Sequence, residues 1–134
     1  MRLYLAGPLF CQAEREFNER LASELRAEGH EVFLPQEFVP TDGVYDEAFL
    51  LEAYARDLEE IDAADAFVIV LDGRVPDEGA CVELGYALAR GKDLFGLKTD
   101  VRVSERGGDN AMIRGALRGR VHGDIPSLID ALSQ

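Results

Sequence analysis

Five consecutive apolar residues, Phe67-Val68-Ile69-Val70-Leu71, constrain the fold of this chain more than any other segment. A strand with one face in water alternates apolar and polar residues. One that is apolar throughout is buried on both faces, as in a parallel sheet covered by helices on each side. The flanking segments agree: Leu3-Tyr4-Leu5-Ala6, Val32-Phe33-Leu34 and Leu94-Phe95-Gly96-Leu97 are shorter runs of the same kind. Between them lie helical periodicities: Phe17, Leu21 and Leu25 before Gly29; Leu51, Tyr54, Leu58 and Ile61; Val82, Leu84, Ala87 and Leu88 before Gly91. A short helical piece around Met112 and a last helix with Ile125, Leu128, Ile129 and Leu132 follow.

Strands and helices in this alternation predict an α/β fold: a doubly wound, flavodoxin-like three-layer domain with a mainly parallel sheet of about five strands. No repeat, linker or low-complexity tract divides residues 1–134, so one domain is expected. Asp and Glu total 26 against 14 Lys and Arg, a formal charge of −12. That balance disfavours nucleic acid polymers and anionic membranes as partners and suits a small, mostly neutral ligand. No apolar run approaches the ~20 residues that span a bilayer, and the N-terminus runs directly into a strand, so a cytoplasmic protein is expected. Cys11 and Cys81 are too few and too far apart for a metal knuckle or a disulfide framework and read as free thiols.

In doubly wound sheets, ligands bind beyond the carboxyl ends of the strands, where the strand order reverses. The loops expected to meet there follow Ala6, Leu71 and Leu97. Neither G-x-G-x-x-G nor G-x-x-x-x-G-K-[ST] occurs, which argues against the dinucleotide and triphosphate sites built on those loops. Two long connections, from Pro35 to about Ala48 and from Lys98 to Asp109, have the length of functional lids.

The chemistry centres on Asp77-Glu78-Gly79-Ala80-Cys81-Val82-Glu83-Leu84-Gly85-Tyr86-Ala87. The helix is expected to begin near Gly79 or Ala80, placing Glu83 in about the first turn, where free backbone N–H groups and the helix dipole favour an ionised carboxylate. Such an anion can attack an electrophilic carbon, and Gly85 leaves room for a ligand or another segment beside it. The plainer reading is an ordinary acidic residue at a helix start.

Taken together and in order, several segments resemble the nucleoside 2-deoxyribosyltransferases and the related deoxynucleoside 5′-monophosphate N-glycosidases. They are Tyr4-Leu5-Ala6-Gly7-Pro8-Leu9-Phe10, Phe33-Leu34-Pro35-Gln36, Asp57, Asp72-Gly73, Asp77-x-Gly79-x-x-x-Glu83-x-Gly85-Tyr86-Ala87, Gly91-Lys92, Asp100-x-Arg102 and Asn110-Ala111-Met112-Ile113. The resemblance implies that Glu83 attacks the anomeric carbon of a 2-deoxyribose to form a glycosyl-enzyme ester, which a second nucleobase opens. Cleaving an N-glycosidic bond builds positive charge on the sugar, which a carboxylate captures while an acid protonates the leaving base. Asp57 and Asp77 are the candidates for that second role and for contacts to base and sugar, with Asp57 favoured as the acid. Each has a structural alternative, a solvated helix charge for Asp57 and a turn or cap for Asp77. The resemblance makes Tyr4 the group that holds the Glu83 carboxylate, against the plainer reading of a core tyrosine; Phe10 and Gln36 read equally as lining of the base site, by stacking and amide hydrogen bonds, and as loop packing. Gly7 and Gly79 border the substrate, and Asn110 and Met112 complete the pocket of a neighbouring subunit. The implied partners are deoxynucleosides and free nucleobases, in a homodimer or larger homo-oligomer, with no cofactor and no metal. His30 and His122 match no catalytic pattern and read as surface or turn residues.

Two other readings compete. The N-glycosidases share Met112-Ile113-Arg114-Gly115-Ala116 but carry serine where this chain has Asn110; an amide suits a neutral 5′-hydroxyl, whereas Arg102 and Arg106 would suit a phosphate. The Gly107-Gly108 pair makes the second long loop a poor rigid wall over its own site. A receiver-like signalling module is suggested by Asp72 and Lys98 at strand ends. It would need an acidic pair after the first strand to bind magnesium, where this chain has Ala6, Gly7 and Pro8.

Overall fold

The central strand of the computed structural model is β3 (Ala66–Val70), buried at every residue, as its unbroken apolar run requires. The structure describes residues 1–40, 44–102 and 109–134; Gly43, Arg106 and the Gly107-Gly108 pair lie outside them. Around β3 the chain runs β1 (Arg2–Ala6), α1 (Gln12–Ala27), β2 (Glu31–Phe33), a 3-10 turn at Pro35–Phe38 and α2 (Glu47–Ala63). After β3 come α3 (Glu78–Ala89), β4 (Asp93–Leu97), α4 (Ala111–Leu117), β5 (Val121–His122) and α5 (Ile125–Leu132). The sheet order is β2-β1-β3-β4-β5 with every neighbouring pair parallel. This is the flavodoxin-like doubly wound order, and its direction reverses between β1 and β3.

Alternate residues of each strand feed two cores. Leu3, Leu5, Val68, Val70 and Leu97 pack with α1 and α5, while Tyr4, Ala6, Phe67, Ile69 and Leu94 pack beneath α2, α3 and α4. Among the described residues, no helix is long and apolar enough to cross a membrane.

Three sequence expectations are corrected. β5 has only two residues, too few to show a period, so no strand was expected there; its His122 is half-buried in the sheet rather than a surface or turn residue. The inward face of α3 is Ala80, Leu84 and Ala87, whereas Val82 is 68 % exposed and Leu88 also faces out. On α2 only Ile61 is buried; Leu51 and Tyr54, assigned to the apolar face, are exposed.

Candidate active site

Tyr4, Phe33 and Phe67 sit directly opposite one another on β1, β2 and β3. The register stacks their rings: Tyr4 lies 5.4 Å from Phe33 and 5.5 Å from Phe67, and Phe38 continues the column 5.0 Å beyond Phe33. Tyr4 is completely buried, and its hydroxyl faces Glu83 on α3 and Asp57 on α2. It interacts with both carboxyl groups without a hydrogen bond of good geometry to either, and Asp57 Oδ1 is likewise buried and unbonded. The fold thus brings together the three residues expected to do the chemistry.

Their protonation differs from what the sequence suggested. α3 begins at Glu78, with Asp77 as its N-cap, so Glu83 is the sixth helical residue and lies beyond the first turn. The N-terminal dipole is weak there. Burial instead pushes the Glu83 carboxyl up to about 8, with the Asp57 charge adding to the shift and Tyr4 opposing it. The expectation of a carboxylate kept ionised by the helix start is therefore wrong for the unliganded chain. Burial also raises Asp57, to about 6, against the opposing effect of Arg56. The Tyr4 hydroxyl is held well above the usual tyrosine range by burial and then by the two carboxylates.

Asp77 caps α3, its Oδ2 accepting the Ala80 N–H at 2.9 Å. A side chain at Gly79 would come within 3.3 Å of that oxygen. At Gly7, a Cβ would meet Val70 Cβ at 3.0 Å, so glycine lets β1 leave the sheet close against β3. Phe10, 70 % exposed, borders a cleft of about 380 Å³ with Leu9, Arg15, Gln36, Val39, Pro40 and Tyr45. Gln36 is less available than expected: its Oε1 accepts from Asn18 Nδ2 at 3.0 Å, and its Nε2 donates to the Arg15 carbonyl at 3.0 Å. The amide ties the 3-10 turn to α1 and has little capacity left for a nucleobase.

Asn110 caps α4, accepting from the Met112 N–H at 2.9 Å. It borders a second, apolar cleft of about 530 Å³ with Val75, Pro76, Gly85 and Met112, into which Met112 projects 80 % exposed. Cys81, Leu84, Gly85 and Leu88 face this cleft, one helical stripe away from Glu83. The loops after β3 and β4 do meet. Asp72 accepts from the Thr99 N–H at 2.7 Å and the Asp100 N–H at 2.9 Å, Gly73 N–H donates to Asp100, and Arg102 forks onto Asp100.

Sequence reasoning missed Arg56, whose guanidinium lies over Phe38, and the aromatic column itself. The column was discoverable in principle from the central positions of the first three strands, had their register been known.

Comparison with known proteins agrees with this fold. The family model for nucleoside 2-deoxyribosyltransferase matches residues 3–115. No curated protein sequence gives a significant match. Among solved structures, a conserved protein from Enterococcus faecalis V583 is 26 % identical with a TM-score of 0.82, over 100 % of this chain and 98 % of that one. A 2-deoxyribosyltransferase from Bacillus psychrosaccharolyticus is also 26 % identical with a TM-score of 0.82, over 97 % and 91 %. The Clostridium botulinum CMP N-glycosidase BcmB, 21 % identical with a TM-score of 0.63 over 100 % of both chains, shares the fold. With 113 consecutive positions matched by its model, the chain belongs to the nucleoside 2-deoxyribosyltransferase family.

Proposed function

We propose that this chain, acting as one catalytic domain, transfers 2-deoxyribose between nucleobases by a retaining double displacement through Glu83. Family membership supports deoxyribosyl transfer or N-glycoside cleavage. The observation that carries the finer reading is the buried trio: two carboxyl groups of different proton affinity, flanking one tyrosine hydroxyl. In the first step Glu83 bonds to C1′ as the C1′–N bond breaks, and the departing base takes the bond's electron pair and a proton from Asp57. In the second, a nitrogen of the incoming base attacks C1′, Asp57 recovers that nitrogen's proton, and the Glu83 carboxylate leaves. Tyr4 donates to Glu83 whenever it is anionic. Asp77, with Oδ2 engaged in the cap, offers Oδ1 to a sugar hydroxyl.

The acid assignment favours Asp57 because burial raises its carboxyl group toward neutral pH, whereas Asp77 serves as a cap. Replacing Asp57 with Asn should reduce turnover about 10²- to 10⁴-fold for bases that leave poorly and far less for activated leaving groups. Steady-state rates across a leaving-group series check this; an equal loss for every base would assign Asp57 to sugar binding.

We further propose a homodimer or larger homo-oligomer in which Asn110 and Met112 complete a neighbour's site. The exposed Met112 and the apolar cleft beside it support this. Mixed Glu83→Ala and Asn110→Ala subunits, each inactive alone, should recover up to roughly a quarter of wild-type activity after exchange. Full activity in a monomer at assay concentration argues against sharing.

Hydrolysis of a 5′-monophosphate is the second reading, and Arg102 bears on it: its guanidinium is engaged by Asp100, leaving it little capacity to hold a phosphate. The deciding experiment supplies a deoxynucleoside and a different free base and separates the products by chromatography. A new nucleoside supports transfer; free deoxyribose alone supports hydrolysis.

A further inference from the structure

Arg56 precedes Asp57 in α2 and caps the aromatic column, its guanidinium 5.1 Å from the Phe38 ring centroid. Two rings further along that column is Tyr4, whose hydroxyl faces both carboxyl groups. Among the described residues Arg56 makes no hydrogen bond or ion pair, and its Nε is buried without a partner. A half-buried cation left this way is costly unless nearby negative charge compensates it. The adjoining cleft of about 280 Å³ offers Glu31, Glu37 and Glu60, yet each has another arginine: Arg2 pairs with Glu31 and Glu60, and Arg26 with Glu37. Among the described residues, neither Asp57 nor Glu83 forms an ion pair with an arginine.

We propose that Arg56 is a positioning residue for Asp57: clamped on Phe38, it sets a positive charge beside that carboxyl group and steadies the column that carries Tyr4. Its catalytic meaning rests on the reading of Glu83 and Asp57 as nucleophile and acid. The groups facing Asp57 are Tyr4 from β1, Glu83 with Asp77 behind it from α3, and Arg56 and Glu60 from α2. Glu60 is offset by Arg2, so Arg56 is the cation that opposes burial there. A positive neighbour favours the ionised carboxylate, so removing it makes Asp57 hold its proton to higher pH.

Two variants separate charge from stacking. Arg56→Gln keeps a planar group over Phe38 without charge, and Arg56→Lys keeps charge without the plane. The probe is the Asp57 carboxyl carbon, titrated by NMR in the unliganded protein. In Arg56→Gln its midpoint should rise by about one pH unit, and the acid limb of kcat/KM should rise with it. In Arg56→Lys the midpoint should stay and Tm should fall. An unmoved midpoint in Arg56→Gln, whatever happens to Tm, overturns the proposal. If the midpoint moves but no protein, wild type included, exchanges bases, the effect of Arg56 on Asp57 stands and the transferase reading fails.

Discussion

Glu83→Gln should lower base exchange by about 10⁴-fold or more while making the protein more stable at alkaline pH. The first effect follows from losing the atom that bonds to C1′. The second follows from linkage. The Glu83 carboxyl holds its proton to about 8 in the folded chain against an ordinary value of 4.5, so between these values the folded state binds a proton that the unfolded state has released. Stability therefore falls as pH rises through that window and levels off above it. The penalty at pH 9 is on the order of 2–4 kcal/mol, allowing for the group's partial exposure and its coupling to Asp57. A glutamine of the same shape does not incur it. Calorimetry should show Tm higher in Glu83→Gln by roughly 10 °C at pH 9, with little difference at pH 5. A variant that melts lower at both values would make Glu83 a structural residue, and retained exchange would remove it as the nucleophile. Mass spectrometry of wild type with substrate should find a deoxyribosyl adduct on the Glu83 peptide.

The sequence was readable where burial imposes a pattern on it. The β3 run and the helical spacings revealed the layers, because burial on both sheet faces leaves a periodic trace. Glu83, Asp57 and Tyr4 were recognised through ordered motifs, and the fold gathers them on the α2 and α3 side of β1. Local rules failed where tertiary contacts override them. Glu83 was placed by helix-start logic, but its proton affinity is set by burial and by Asp57, neither visible in the local sequence. Val82, Leu51 and Tyr54 fit helical periods yet face outward, as apolar residues of an unpaired surface do. Gln36 read equally as base-site lining and as loop packing, and three-dimensional contact commits its amide to α1. Arg56 carried no motif, because its importance comes from what its neighbours already bind.

The pH dependence of exchange should be bell-shaped, with limbs near 6 and 8. Asp57 and Glu83 face one tyrosine in a poorly solvated site, so they titrate as a pair, and at neutral pH the pair holds one proton. The proposed reaction needs that proton count: one carboxylate to attack and one acid to release the base. Below about 6 a second proton binds, no nucleophile remains, and kcat/KM should fall tenfold per pH unit. Above about 8 the last proton leaves, and the rate should fall as steeply for bases that depend on protonation. In the unliganded chain the proton prefers Glu83, so the competent arrangement, Glu83 anionic and Asp57 protonated, is the minority form. Positive charge developing on the sugar beside Glu83 favours the anion there and shifts the proton toward Asp57 and the base, so stabilisation grows as the C1′–N bond breaks. Asp57→Asn should leave no alkaline limb for any base and move the acid limb, because Glu83 then titrates without its neighbour's charge. Rates of exchange from pH 4.5 to 9.5 in wild type and Asp57→Asn test this; a profile with one limb in wild type would mean the two carboxyl groups do not share the work.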